Sequence, residues 1–534
     1  MDNGIQTEQV VSMNQQPSTT QVFSFDVFDT CVTRYCARPA DLFERLFAGL
    51  LTQKARQSSE NVSAAESAYE LTAAAKALAR SRTAAEKTAR QQTTQDDITL
   101  TAIYQALAPS LKSYGLDTAE AESAEIELEL AAVSPILCTK LRIQQMRSQG
   151  HKVIFISDMY LPGYVVRKML ETHGFSDGSD AVYVSADVGL TKGSGRLFDY
   201  VCDQLAIAPK QLHHTGDNRY ADVRAAKRQG VTATHFTQGD PTRYECGFRA
   251  ELVGDDWMRS HLLGLSRAIR LGHDTSGDHG HATLAADVLS PLVTSYLLWV
   301  LTTAKEMGVR RLYFADSGLL AIAQTICQKG IASEIVLTEH IEGETEYKGH
   351  RFILCEAEEQ SLILSDEVTQ FAPPLSYIES PIGNRKQLEG TTYLFEYGSI
   401  LKLLFSALSN AKVPMYQAIA STYAAKYIDT SSGDTSNLNP SDLNMLRQYA
   451  INNAVRLLSH PTTADAKAIV ELHATTNEQT LQIRAVRPWE VPKISKRLIK
   501  RKRGNSQNLW TEGAIALSPL PIRVFLTRAR NLRT

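Results

Sequence analysis

Four short apolar runs, each stopped by a polar residue, constrain this chain more than anything else in it. Val22-Phe23-Ser24-Phe25 runs into Asp26, and Val153-Ile154-Phe155-Ile156 into Ser157-Asp158. Ala181-Val182-Tyr183-Val184 leads through a loop to Lys192, and Leu212-His213-His214-Thr215 reaches Gly216-Asp217, with Asp222 five positions on. An acid at the end of a buried strand is costly unless something pairs with it. Taken alone, Asp26 reads equally well as the cap of a turn. In an open parallel sheet, however, ligands bind beyond the carboxyl ends of the strands, so four strands that end this way deliver four polar groups to one place.

Between His151 and Phe236 the pattern alternates strand and helix, as a doubly wound α/β sheet requires. Pro162 starts the helix after Ser157 and Gly174 ends it; a further helix runs over 221–229, and residues 231–234 offer one more strand. Before this region lies a long helical stretch. Arg38-Pro39-Ala40-Asp41 opens a helix with Phe43, Leu46, Phe47 and Leu50 on one face. Residues 54–90 are rich in Ala, Glu, Lys and Arg without Pro or Gly, which favours long helices. Thr94-Gln95-Asp96-Asp97 reads as the capped start of another, and a last helix from Thr118 is expected to bend at Pro135 and continue to Met146. Residues 1–20, rich in Gln, Thr, Ser and Asn, are expected to form a disordered tail.

The second half is less patterned. His273 to His281 reads HDTSGDHGH, either a metal site or a solvated polar loop; its glycines and lack of register favour the loop. The apolar run from Val288 to Leu301 is too short to span a bilayer and reads as a buried helix. Arg311-Leu312-Tyr313-Phe314-Ala315-Asp316 and Ile335-Val336-Leu337 read as strands around a helix, so a second, smaller α/β domain is placed over 275–400. Residues 401–534 read as helical with a basic end: Lys493, Lys496, Arg497, Lys500, Arg501, Lys502 and Arg503, then Arg523, Arg528, Arg530 and Arg533. That end suits either an anionic membrane surface or a neighbouring acidic face. Aromatic residues that would stack on bases are scarce, which argues against nucleic acid.

With 534 residues, 43% of them hydrophobic, the chain has material for two to four ordinary domains. The net charge of −2 excludes no partner class. Seven scattered cysteines with no CxxC pair read as reduced thiols of a cytoplasmic protein, and no signal peptide is recognisable at the start.

The sequence Asp26-Val27-Phe28-Asp29-Thr30, then Ser157, Lys192, and Gly216-Asp217 with Asp222, resembles the four motifs of the haloacid dehalogenase-like (HAD) superfamily. SFDVFDT, FISDMYLP, GLTKGSG and HHTGDN resemble more narrowly a group of predicted HAD hydrolases associated with surface-polysaccharide glycosyltransferases. The resemblance implies a Rossmann-like core over 21–250, with the helices at about 36–148 inserted as a cap. It implies that Asp26 is a nucleophile forming an aspartyl intermediate on a small phosphorylated substrate, such as a sugar phosphate. Mg2+ is then held by Asp26, the main-chain carbonyl of Phe28 and Asp217, with Asp222 orienting or joining that shell. Lys192 offsets charge, and Thr30, Ser157 and Asp158 lie toward the substrate. Phosphatases of this superfamily carry an acid where Phe28 stands, and a phenyl ring moves no proton. Asp29 and Asp158 are the candidates to replace it. The alternatives are a catalytically weak partner of a glycosyltransferase, and a hydrolytic dehalogenase, whose halide leaves without a proton. At the end of the strand over 311–316 the family pattern expects Arg-Asp-Gly, whereas this chain has Ala315-Asp316-Ser317-Gly318.

Overall fold

The computed structural model describes residues 21–57, 64–249, 257–273, 279–306, 311–314, 317–339, 353–356, 403–405, 407–431, 439–476, 484–492, 494–495 and 511–531. Its contacts divide the chain into two units. The first comprises Met1–Cys31, Ala89–Ala102 and Thr139–Thr237; the second comprises Val32–Thr88, Ile103–Cys138 and Gln238–Thr534.

Seven strands come first in the chain: β1 (Val22–Phe25), β2 (Val32–Arg34), β3 (Val133–Pro135), β4 (Lys152–Ser157), β5 (Val182–Val184), β6 (Leu212–Gly216) and β7 (Thr232–His235). Five of them build the first unit's sheet, in the order β5-β4-β1-β6-β7, every pair parallel. The short apolar runs dictate this arrangement. Phe25, Ile154, Phe155, Ile156 and Leu212 are fully buried, as strands covered by helices on both faces must be. β1 lies in the middle, with Val22 opposite Lys152 on one side and Leu212 on the other. Chain order reverses across β1, so the crevice at its carboxyl end is where such a sheet offers a binding site.

Two expectations about the helical stretch need correction. Thr94-Gln95-Asp96-Asp97 does not open a helix; the helix begins later, at Leu100, with the Thr99 hydroxyl accepting from the Ala102 amide. The two acids instead fasten the segment to the first unit, Asp97 by the Ser185 hydroxyl (2.5 Å) and Arg90 (2.7 Å), Asp96 by Ser194 and Arg196. The helix from Thr118 does not bend at Pro135 either. It ends at Ala131, β3 follows, and a new helix runs over Leu137–Ser148. β3 pairs antiparallel with β2, and that ladder supplies partners for backbone groups that a bent helix leaves open.

In the second unit, Asp41–Gln57, Ala64–Gln92 up to Thr88, Leu100–Ser113 from Ile103 and Thr118–Ala131 pack as helices around a buried Arg82. Its guanidinium donates to both oxygens of Glu125 (2.9 and 2.7 Å), Tyr104 donates to the same carboxylate at 2.7 Å, and Phe43 lies 4.4 Å from it. The helix Trp257–Leu271 lies so close to the chain at Cys36 that a Cβ on Gly264 would sit 2.0 Å from the Cys36 nitrogen. Three further strands, β8 (Arg311–Phe314), β9 (Val336–Glu339) and β10 (Ile353–Glu356), form a sheet in the order β10-β8-β9, with β9 parallel and β10 antiparallel to β8. A helix over Ser317–Gln328 joins β8 to β9. Ala315 and Asp316, and most of 340–402, lie outside the described residues, as do residues 1–20.

The apolar run at Val288 belongs to a longer helix than its composition suggested. Helical structure continues from His279 to Glu306, 28 residues, which is long and apolar enough to cross a membrane; 94% of its most apolar window is buried inside the chain. The length argument against a span therefore fails, while the buried position stands. The same helix absorbs the end of the histidine-rich run. His281 is buried on it, bonded to the Tyr416 hydroxyl (2.7 Å) and Glu471 (3.0 Å), and is no part of a solvated loop. Asp274 and Asp278 lie outside the described residues.

A π-helical turn at Leu284–Leu289 turns Asp287 into this core. Its Oδ2 accepts from Thr242 at 2.7 Å, and Oδ1 has no partner. Burial pushes its carboxyl from 3.8 up to about 7, against the pull of Arg270. An acid raised in the folded state binds more protons folded than unfolded, so its contribution to stability is lost as pH rises from about 4 to about 7. Asp287→Asn is thus expected to melt higher than the parent at pH 8, with the difference shrinking toward pH 5. Melting curves across that range check it, and a difference that does not change with pH contradicts the burial argument.

Candidate active site

The ends of β1, β4 and β6 and the loop after β5 bring the expected residues together. Asp26 follows β1, and its amide donates to the Thr215 carbonyl at 2.8 Å, which extends the ladder one residue past the strand. Ser157 closes β4, two residues beyond the Phe25–Phe155 pair. Lys192 comes from the loop after β5, and its Nζ lies 2.5 Å from Asp26 Oδ1 and 2.6 Å from Asp222 Oδ1. All three ionic side chains are nearly or wholly buried. Asp26, Asp217 and Asp222 offer carboxylate oxygens within 4.8 Å of one another, the one such cluster among the described residues.

The charges follow from that enclosure. Burial opposes protonation of Lys192, but Asp26 and Asp222 overcome it and hold the ammonium charged well above its usual range. Burial also opposes ionisation of Asp222, yet Lys192 and His214 keep its carboxylate well below the ordinary value. For Asp26 burial wins over Lys192 and pushes the carboxyl well up. Asp217 is pushed up to about 6 by burial, then by the charges of Asp29 and Asp222. With all three carboxylates ionised the site would hold more negative charge than its one lysine neutralises, a surplus that a cation would offset.

Asp222 is spoken for. Besides Lys192, its Oδ1 receives His214 Nε2 at 3.1 Å and its Oδ2 the Asn218 amide at 2.8 Å. Its carboxylate is thereby fixed beside Lys192 by a ring nitrogen and a backbone amide. Its seat depends on Gly216, where a Cβ would stand 2.3 Å from the Asp222 Cγ. His214 was missed in the sequence. It lies opposite Ser24 in the ladder, with Nδ1 2.8 Å from the Ser24 hydroxyl, and burial pushes its pKa down. The neutral ring donates to Asp222 and accepts from Ser24. The available signal was a polar pair, Ser24 and His214, inside two otherwise apolar strands.

Asp158, expected toward the substrate, is engaged by the lysine loop. Its two oxygens accept from the Lys192 amide (2.7 Å) and the Gly193 amide (3.3 Å), so its carboxylate shapes the lysine loop. Asp96 fastens the same loop through Ser194 and Arg196. Burial pushes the Asp158 carboxyl up, against the pull of Lys192. Asp29 is half-buried with φ of 55°, a left-handed conformation that Asp tolerates better than most residues. Phe28 is half-buried beside it.

Two hydroxyls complete the picture. The Oγ of Ser157 and the Oγ1 of Thr30 are buried and have no hydrogen-bond partner among the described residues. Such groups each carry a desolvation cost that an anionic ligand would relieve.

No family model matches the chain, and no curated protein matches it. Solved structures similar to it include a 2-haloacid dehalogenase from Pseudomonas syringae pv. Tomato (15% identity, 42% of this chain and 89% of that one, TM-score 0.30). A HAD phosphatase from Thermococcus onnurineus is similar at 20% identity over 42% of this chain and 89% of that one, TM-score 0.27. An L-2-haloacid dehalogenase from Xanthobacter autotrophicus with chloropropionic acid covalently bound is similar at 12% identity over 46% and 89%, TM-score 0.30. Strand order β5-β4-β1-β6-β7, with the four motif residues at the strand ends, is what describes the core. The core is a Rossmann-like parallel α/β sheet.

Proposed function

We propose that the first unit is a Mg2+-dependent phosphatase or phosphotransferase acting on a small phosphorylated metabolite. The observation that carries this reading is the buried Lys192 ammonium between Asp26 and Asp222, beside the carboxylate of Asp217. A dehalogenase needs no third carboxylate there, whereas phosphoryl transfer to a carboxylate must overcome repulsion between anions.

The donor set fits Mg2+, a hard cation that takes oxygen ligands. Asp26, Asp217 and the Phe28 carbonyl would hold it, with Asp222 steadying Lys192 from behind. Bound there, the ion supplies positive charge to the transferring group. An Asp26 oxygen then forms a bond to phosphorus as the phosphorus–oxygen bond to the leaving alcohol breaks. Lys192 offsets the charge that gathers, and the Ser157 and Thr30 hydroxyls donate to the phosphoryl oxygens. The leaving oxygen requires a proton, which Asp29 supplies in this reading, because Phe28 cannot. Water attack on the aspartyl phosphate returns the carboxylate and releases phosphate.

Sugar phosphates of surface-polysaccharide assembly are the substrate class to try first. The purified chain with Mg2+ is expected to release phosphate from at least one member of a sugar-phosphate panel, and Asp29→Asn to slow that release more than Asp158→Glu does. Should Mg2+ bind while nothing on a broad panel turns over, the catalytically weak partner of a glycosyltransferase becomes the better account. Halide release from 2-haloacids without metal would overturn both.

A further inference from the structure

The end of the chain carries a feature that the catalytic reading does not use. Among the described residues seven large hydrophobic side chains are exposed, and three of them, Leu520, Val524 and Phe525, fall within six positions of the helix Leu520–Asn531. Leu520 and Val524 are one turn apart on one face, with Phe525 beside them. This is not the face that holds the helix in place. Leu526 is fully buried, and with Ile522 it packs on Val486, Ile494, Ala514 and Ile515. The helix is therefore apolar on two sides, and nothing described covers the second.

Charge says what could cover it. From residue 491 to the end there are eleven Lys and Arg against one acid, Glu512, in a chain whose net charge is −2. Arg523 and Arg528 sit on the helix itself, Arg528 exposed. A second copy of this chain is a poor match, because symmetric pairing would set two such cationic ends against each other. Nucleic acid would meet the charge, but it has no use for Leu520 and Val524, and only Trp510 and Phe525 are aromatic in this stretch. An anionic lipid surface meets both requirements, since acyl chains accept the apolar face and headgroups the basic residues.

We propose that the helix Leu520–Asn531 attaches this protein to an anionic lipid bilayer. The face of Leu520, Val524 and Phe525 lies at the boundary of headgroup and acyl chain, and Arg523 and Arg528 lie among the headgroups.

The test is co-sedimentation of the full chain with vesicles of phosphatidylcholine alone or mixed with phosphatidylglycerol. Binding is expected to the mixed vesicles, at least about tenfold weaker to the neutral ones, and to fall with added salt. The double variant Val524→Glu, Phe525→Glu alters only exposed positions, so circular dichroism and melting should match the parent, while binding to mixed vesicles drops by about tenfold or more. Equal binding of variant and parent, equal binding to both vesicle types, or none to either overturns the proposal. A dimer in light scattering that the double variant dissociates, without vesicle binding, assigns the face to a second copy and overturns it as well.

Discussion

Asp26→Asn is expected to lower phosphate release at least about a thousandfold while moving the melting temperature by no more than about 3 °C. An amide has nearly the shape of the carboxylate and keeps an oxygen for Lys192, but it is no nucleophile, so the bond to phosphorus does not form. The fold should survive because Lys192 stays paired with Asp222, 2.6 Å away and itself held by His214 and the Asn218 amide. Steady-state release on the best substrate of the panel measures the first effect. Mass spectra of acid-quenched protein measure its cause, since phosphorylated protein should accumulate in the parent and be missing in the variant. Turnover within tenfold of the parent would remove Asp26 from the chemistry, whatever the role of the neighbouring acids.

Arg82→Met should destabilise the second unit by about 3–5 kcal/mol, because it leaves Glu125 buried without its cation. Arg82 has no exposed side-chain surface, and its partner is only 2% exposed. The guanidinium also stacks on Phe43. Removing both charges is a different matter. Arg82→Met with Glu125→Leu takes away the penalty together with the pair, and most of the lost stability should return. Urea titrations of the three proteins followed by circular dichroism decide it. A single variant within about 1 kcal/mol of the parent would mean that water reaches Glu125 and that the pair is not holding these helices.

Much of the first unit could be read directly from the chain, for a physical reason. Strands buried on both faces are short continuous apolar runs, and a polar residue inside or just beyond such a run stands out. Asp26, Ser157, Lys192 and Asp217 were legible on those terms, and Lys192 indeed meets Asp26. What was not legible depended on partners distant in sequence. Thr94-Gln95-Asp96-Asp97 looks like a helix start locally, yet its two acids bond Arg196, Ser194 and Ser185, about a hundred residues away. Asp158 looks like a substrate contact beside Ser157, yet two amides of the lysine loop claim it. His214 has the pattern of an ordinary strand residue until Asp222 folds back over Gly216. Pro135 suggested a bend because nothing local announces that residues 133–135 will pair with 32–34. In the second unit, the helix at His279 hides its length because a histidine-rich start and a π-helical turn interrupt the apolar pattern.

The central strand of the sheet also has a temporal consequence. Val22 to Phe25 lie opposite Leu212 to Thr215, so one edge of that strand has no neighbour until nearly two hundred further residues have been made. At ribosomal rates of about 5–20 residues per second, that interval lasts roughly 10–40 s. For that time a sticky tetrapeptide has its proper neighbour still untranslated, and it is a natural client for whatever chaperone waits at the tunnel exit.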